Sequence, residues 1–306
     1  MKMISPIVMT DAILGQSNVT ETTTWSAGST YAKDDEVEFS DTHRRYVSQQ
    51  DGNTGNDPKT DDGTWWIDMG ASNRWRAFDQ RLGQSVTKTG TISYTLDVPT
   101  RVTGIGLLGV SGSSVRVRLQ SVGPPVETVF DETRVGVDTI EIVDWFSYFT
   151  WEPEYETEFL FTDLPGFAGN RIKIDIDAGS GTAAVAQIVL GRLDVLGTTL
   201  PGTEVGIEDF STKERDDFGN AFLVERAFAD TVDFQFAVEI PSDPAQRPER
   251  RVRKRLAAQR ATPTLYFADE GLLETGAMVF GYFQDFSIPL ESAGVATCTL
   301  EVEGLT

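Results

Sequence analysis

Apolar and polar residues alternate along much of this chain, most clearly between residues 90 and 180. Ile92, Tyr94, Leu96 and Val98 share one side of the run Thr91–Val98. Val115, Val117 and Leu119 alternate with Arg116 and Arg118, and Ile172, Ile174 and Ile176 alternate with Lys173, Asp175 and Asp177. A period of two puts each apolar set on one face of a pleated strand. With Gly, Pro and Ser turns between the runs, residues 71–197 are expected to form an antiparallel sandwich of jelly-roll type. Gly104, Gly106 and Gly109 interrupt the apolar stretch Ile105 to Val110. No helix signal follows them, which argues against a phosphate loop, so they predict a central strand that neighbouring chain approaches closely.

The rhythm changes on both sides of this region. Residues 20–70 are rich in Gly, Asp, Asn and Thr and are punctuated by Trp25, Tyr31, Tyr46, Trp65 and Trp66. Strands are expected at Asp35 to Phe39 and Arg45 to Ser48; so few strands bury little, and the aromatic rings must supply most of the core. Beyond the linker Gly197-Thr-Thr-Leu-Pro-Gly, residues 198–306 predict strands at Phe222 to Glu225, Thr231 to Val238, Thr264 to Phe267, Val279 to Ile288 and Ala296 to Glu303. A helix fits Pro244 to Arg260, with proline tolerated in its first turn, Val252 and Leu256 four apart, and Pro263 just beyond. The expectation is a mainly β, multi-domain chain: residues 1–19 pairing with a later domain, a small aromatic module over 20–70, a β-sandwich over 71–197, and a barrel or sandwich with one helix over 198–306.

Composition narrows the partners. The 306 residues carry 26 Lys and Arg against 47 Asp and Glu, a net charge of -21. Such a surface repels phosphate backbones and anionic membranes, so no nucleic-acid partner is expected. No apolar run reaches the ~20 residues of a spanning helix, and Met1 to Pro6 lacks the apolar core of a signal peptide, so synthesis in the cytoplasm is expected. With one cysteine and one histidine, no intrachain disulfide and no ordinary zinc site can form. Cys298 lies in an alternating run and reads as a small buried hydrophobe. His43 lies in a polar turn and reads as a solvated surface residue, which leaves both nucleophilic triad types without their base.

Three clusters could carry chemistry or contacts. Asp51, Asn53 and Asp57, with Asp61 and Asp62 behind them, offer oxygens at alternate positions as calcium loops do, but the closing bidentate glutamate is missing; the other reading is a plain turn. Glu152, Glu154, Glu156 and Glu158 fall on one face of an extended segment, as a glycosidase pair or a solvated face would; nothing in the sequence marks one carboxyl for a raised pKa. Arg247, Arg250, Arg251, Arg253, Lys254, Arg255 and Arg260 surround the Val252 and Leu256 stripe. They suit docking on an acidic neighbouring subunit through Arg251, Arg253 and Arg255, or equally a solvated helix balancing carboxylates of its own domain.

Trp25, Thr30-Tyr31, Asp34, Val37, Tyr46, Asn53, Gly55, Pro58 and Trp65-Trp66 are spaced as in the small carbohydrate-binding modules appended to chitinases. That resemblance implies a compact three-stranded aromatic core and exposed rings that stack on sugar, with Trp65 or Trp66 as the stacking ring and Tyr31 and Trp25 in the core. The loop from Tyr46 to Trp65 departs from that pattern in length. Pro6-Ile-Val-Met-Thr-Asp-Ala, Ser17-Asn-Val, Asn73-Arg-Trp-Arg-Ala-Phe-Asp, Asp144-Trp-Phe-Ser-Tyr-Phe, Val189-Leu-Gly-Arg and Leu300-Glu-Val-Glu-Gly-Leu resemble a family encoded among the tail genes of long-tailed phages. The resemblance implies a non-enzymatic structural part of the tail tip or baseplate in the virion, needing no cofactor. Its partners would be copies of itself, other tail proteins and host surface glycan. It also implies a discoidin-like, galactose-binding-type middle sandwich and a third domain similar to tail-tube and distal-tail barrels. A stand-alone carbohydrate-binding adhesin or tail decoration protein is the alternative.

Overall fold

The computed structural model describes residues 1–306 except 124, 139–142, 151–153, 167, 216–217, 242–247, 270–276, 290–293 and 306. The fold is mainly β: 24 strands, two α-helices and one 3-10 helix occur among the described residues. None of these helices is long and apolar enough to cross a membrane.

One sheet runs through most of the molecule. Its ten strands follow the order Phe159–Phe161, Gly104–Leu108, Gln187–Val195, Lys2–Pro6, Thr264–Phe267, Met278–Ser287, Val295–Gly304 and Phe228–Glu239, with Thr198–Thr199 and Glu204–Asp209 both pairing with the last. Every pairing is antiparallel. The first three strands belong to the middle of the chain and the last six to its C-terminal third. Lys2–Pro6 joins them, with Ile4 opposite Leu193 on one side and Leu265 on the other.

The sheet curls into a half-barrel, and its strands approach closely at glycines. A Cβ on Gly106 would stand 2.2 Å from Leu265 Cδ2, and one on Gly191 would stand 1.8 Å from the Ser5 carbonyl oxygen. A side chain fits in neither place, so neighbouring chain lies directly against these two glycines. The close approach expected around Gly106 is present, and the visitor is a side chain rather than a backbone.

A second sheet of five strands covers one end of the first. Its order is Thr128–Val135, Ser114–Ser121, Asn170–Val185, Val86–Val98 and Leu14–Ser17. Ile92, Tyr94, Leu96, Val115, Val117, Ile172 and Ile174 point from it onto Ile105, Leu107, Phe159, Phe161 and Ile188 of the long sheet, forming the core of a sandwich. The remaining side chains of the long sheet fill two further cores, one on each of its faces. Ile4, Leu265, Phe267 and Phe280 lie in one; Met3, Phe234, Phe236, Tyr266, Cys298 and Leu300 lie in the other. Strand Lys2–Pro6 thus buries side chains on both faces, as an inner strand must. Cys298 is wholly buried and burial pushes its thiol up to about 11, in keeping with its reading as a small hydrophobe.

Residues 20–71 hold a three-stranded sheet of Glu36–Phe39, Arg44–Ser48 and Trp66–Ala71, with a short pair Thr30–Tyr31 and Asn53–Thr54 beside it. Two sequence expectations shift. The helix spans Pro248–Ala258, and residues 244–247 of its expected range lie outside the described residues. The strand expected at Phe222 to Glu225 is Ala221–Val224, and its partner is Thr212–Arg215 in a separate two-stranded hairpin.

Candidate functional site

In the small module the Asp61 carboxylate organises the end of the long loop, accepting the backbone N–H groups of Gly63, Trp65 and Trp66 at 2.9 to 3.1 Å. The two tryptophans are adjacent, Trp65 in the bend before the strand and Trp66 its first residue, and they turn differently. Trp66 is the inward one: it is 2 % exposed, donates its ring N–H to the Asn56 carbonyl at 2.9 Å, and meets Tyr31 edge-on at 5.2 Å. This corrects the assignment of Trp66 as a stacking ring, because both of its faces are in the core. Tyr31 is buried beside it, and its hydroxyl accepts the Ser26 N–H. The rings that reach the surface are Trp65, Trp25 and Phe39, all half-buried; Trp25 stacks on Phe39 at 5.5 Å, and the Lys59 ammonium lies 4.1 Å from the Phe39 ring centre.

The acidic loop is a turn scaffold. Asp51 accepts the Lys33 N–H, Asp57 accepts the Lys59 N–H, and buried Asn53 donates to Ser48 Oγ and the Trp65 carbonyl while accepting from Asn56. The weak metal reading of Asp51, Asn53 and Asp57 is therefore corrected: their side chains bind this chain's own polar groups instead of converging. Among the described residues no cluster of three or more His, Cys, Asp or Glu is placed to hold a metal.

His43 is also not the solvated residue expected. Its ring stacks on Trp75 at 3.9 Å and 16°, and its Nε2 lies 3.1 Å from Asp11. Its carbonyl accepts the Ser72 N–H, while Glu21 accepts from Ser72 Oγ and the Arg74 N–H. Both contacts fasten the small module to the 3-10 helix Asn73–Phe78 at the edge of the sandwich.

On the helix Pro248–Ala258, Val252 and Leu256 are buried against their own core and Arg251 and Arg253 are exposed. Arg255 is a correction to the interface assignment. Its guanidinium pairs with Asp194 at 3.1 Å and donates to the Val195 carbonyl at 3.1 Å, so it braces the helix against strand Gln187–Val195 of the same chain. Arg247 lies outside the described residues.

Of the expected acidic face, Glu152 lies outside the described residues, and the other members separate by environment. Glu158 is pushed up to about 7, first by burial, then by the Asp230 and Glu156 carboxylates. Asp230 sits on strand Phe228–Glu239, beyond seven other strands of the long sheet.

The described residues also carry two exposed apolar surfaces, and the sequence reading marked neither as exposed. One is a tip between strands Val137–Asp138 and Glu154–Tyr155, where the short helix Trp145–Thr150 exposes Trp145 to 78 %, Phe146 and Phe149 to 77 %, with Tyr148 and Tyr155 more than half exposed. The other is an arm over residues 204–228. Its strand Glu204–Asp209 exposes Val205 and Ile207, and its hairpin Thr212–Arg215 with Ala221–Val224 exposes Phe222, Leu223 and Val224. Spacing could have found the tip: Trp145, Tyr148 and Phe149 fall at i, i+3 and i+4, as on a helix face that meets something apolar. Compared with protein-family models, curated proteins and solved structures, the chain matches none.

Proposed function

We propose that this chain is a non-enzymatic structural part of the tail tip or baseplate of a tailed bacteriophage, working as a symmetric oligomer among other tail proteins. The family resemblance of the sequence suggests the setting, and the arm is the observation that carries the assembly reading. Among the described residues, the hairpin strands pair only with each other. A lone two-stranded hairpin is marginally stable in water, and this one turns Phe222 and Leu223 to solvent on opposite faces. The outer strand Glu204–Asp209 also keeps one edge open beside exposed Val205 and Ile207, an arrangement that invites another chain. Such an element makes physical sense when a second protein covers it. Native mass spectrometry of the full chain is expected to give an oligomer at micromolar concentration; a monomer persisting at about 100 µM overturns the reading. Deleting the gene from a phage that encodes the chain is expected to leave tails incomplete, and complete, infectious tails would equally overturn it.

Host-glycan contact by residues 20–70 is the second reading, and the half-exposed Trp65 and Trp25 favour it. The platform is then Trp65 with the Trp25–Phe39 stack, while Trp66 and Tyr31 support it from below. Trp65→Ala is expected to abolish binding on a glycan array while leaving the melting temperature nearly unchanged. Trp66→Ala is expected to cost the module about 3–5 kcal/mol, since it empties the core. Binding that survives Trp65→Ala removes the glycan role. A monomer that binds glycan through Trp65 would instead fit a stand-alone adhesin or decoration protein.

A further inference from the structure

We infer that the basic helix of one copy docks across an acidic sheet face of another: Arg250, Arg251 and Lys254 meet Glu204, Asp233, Glu301 and Asp285 of a second copy of this chain. This deepens the assembly reading and rests on it.

Register is the first reason. On four neighbouring strands of the long sheet, Glu204 stands opposite Asp233, Asp233 opposite Glu301, and Glu301 opposite Asp285. Residues directly opposite in an antiparallel pair project on one face, and like charges placed so oppose the pairing. All four are exposed, and the strands that carry them hold no lysine or arginine. Among the described residues, no cation forms an ion pair with any of the four. The exposed face of the sandwich is built the other way: Arg116 pairs with Asp131, Arg118 with Asp175 and Arg171 with Asp97 across adjacent strands. The C-terminal sheet thus keeps an open face whose charge its own strands leave unmatched.

Placement is the second reason. Val252 and Leu256 pack with Phe234, Phe236 and Leu300, whose side chains leave their strands on the face opposite the acidic row. At about 100° per residue, Arg250, Arg251 and Lys254 point away from that core. All three are exposed, and among the described residues none is in an ion pair. The sheet lies between the two sets of charges, so one molecule cannot join them and a neighbouring copy can. Dimensions agree. The row crosses four strands, about 14 Å, and the eleven-residue helix is about 16 Å long. Because the two surfaces differ, the contact runs head to tail, and a rotation that closes makes it a ring.

The test uses the full chain in two variants: a helix reversal, Arg250→Glu with Arg251→Glu and Lys254→Glu, and a face reversal, Glu204→Lys with Asp233→Lys and Glu301→Lys. Each is expected to melt near the parent's temperature but to self-associate roughly 100-fold more weakly, read by analytical ultracentrifugation. The face reversal makes the chain less negative, so a general repulsion between copies predicts tighter association from it, the opposite result. An equimolar mixture of the two variants is expected to regain assembly, because each reversed surface meets its complement on the other variant. Damage to the fold would not be rescued in this way. A parent chain that is monomeric overturns both this pairing and the assembly reading. A parent that assembles while either variant assembles equally well, or a mixture that stays monomeric while the parent assembles, overturns the pairing alone. A melting temperature raised by about 1 mM Ca2+ in the parent and not in the face reversal would assign the row to a divalent cation and overturn the pairing too.

Discussion

Replacing Ile4 with alanine is expected to destabilise the molecule by about 3–4 kcal/mol, an effect felt in the middle sandwich and the C-terminal third alike. Ile4 is wholly buried, stands opposite Leu193 and Leu265 in register, and sets its Cδ1 where a Cβ on Gly104 would be 2.7 Å away. Gly104 has no side chain with which to fill the space, and the flanking strands are held by backbone hydrogen bonds, so the cavity collapses little. A cost in the upper half of the range for such truncations follows. Strand Lys2–Pro6 is hydrogen-bonded to Gln187–Val195 and to Thr264–Phe267 at once, so one loss weakens both neighbours. Urea unfolding followed by far-UV circular dichroism, which sees all strands, and by tryptophan fluorescence, whose six reporters all lie before residue 152, should show both signals moving together. A loss below about 1 kcal/mol, or a shift in one probe alone, would contradict the shared strand.

The second large effect depends on pH. Glu158 holds its proton up to about 7 in the folded chain, against an ordinary value of 4.5, because burial and the Asp230 and Glu156 carboxylates oppose its charge. Below pH 4.5 the group is protonated whether the chain is folded or not and nothing is lost. Between 4.5 and 7 the unfolded chain releases the proton while the folded chain keeps it, so this contribution to stability falls as pH rises and is gone above about 7. The cost at pH 8 is about 2–3 kcal/mol. Glu158→Gln removes it. The variant is expected to be about 2 kcal/mol more stable than the parent at pH 8 and nearly equal to it at pH 4.5, read from urea midpoints. A difference that does not change with pH would mean that Glu158 is an ordinary surface carboxylate.

The elements that repeat with a strict period were legible from sequence. The alternation at Ile92 to Val98 and Ile172 to Ile176 places those side chains in the sandwich core, and the four-residue spacing of Val252 and Leu256 identifies the buried stripe of the helix. What escaped depends on partners far along the chain. Trp65 and Trp66 are chemically alike, and the hydrogen bonds to Asp61 help set which one turns inward. Arg255 differs from Arg251 and Arg253 only because Asp194 stands opposite it. Glu158 owes its raised pKa first to burial and then to Asp230, a residue more than seventy positions further along the chain. Residues 2–6 show too short a pattern to reveal that they become an inner strand buried on both faces.

That strand has a consequence for the order of events during synthesis. Residues 2–6 are made well before either neighbour is complete, since one ends at Val195 and the other at Phe267. Until the second emerges, the strand can pair on one side at most, and Ile4 and Met3 must wait uncovered or find temporary shelter. Closing so long a loop is slow compared with forming a local hairpin. The nascent chain therefore carries an unfinished seam until residues 264–267 emerge, and the docking of Thr264–Phe267 onto Lys2–Pro6 comes after the pairing with Gln187–Val195 is possible.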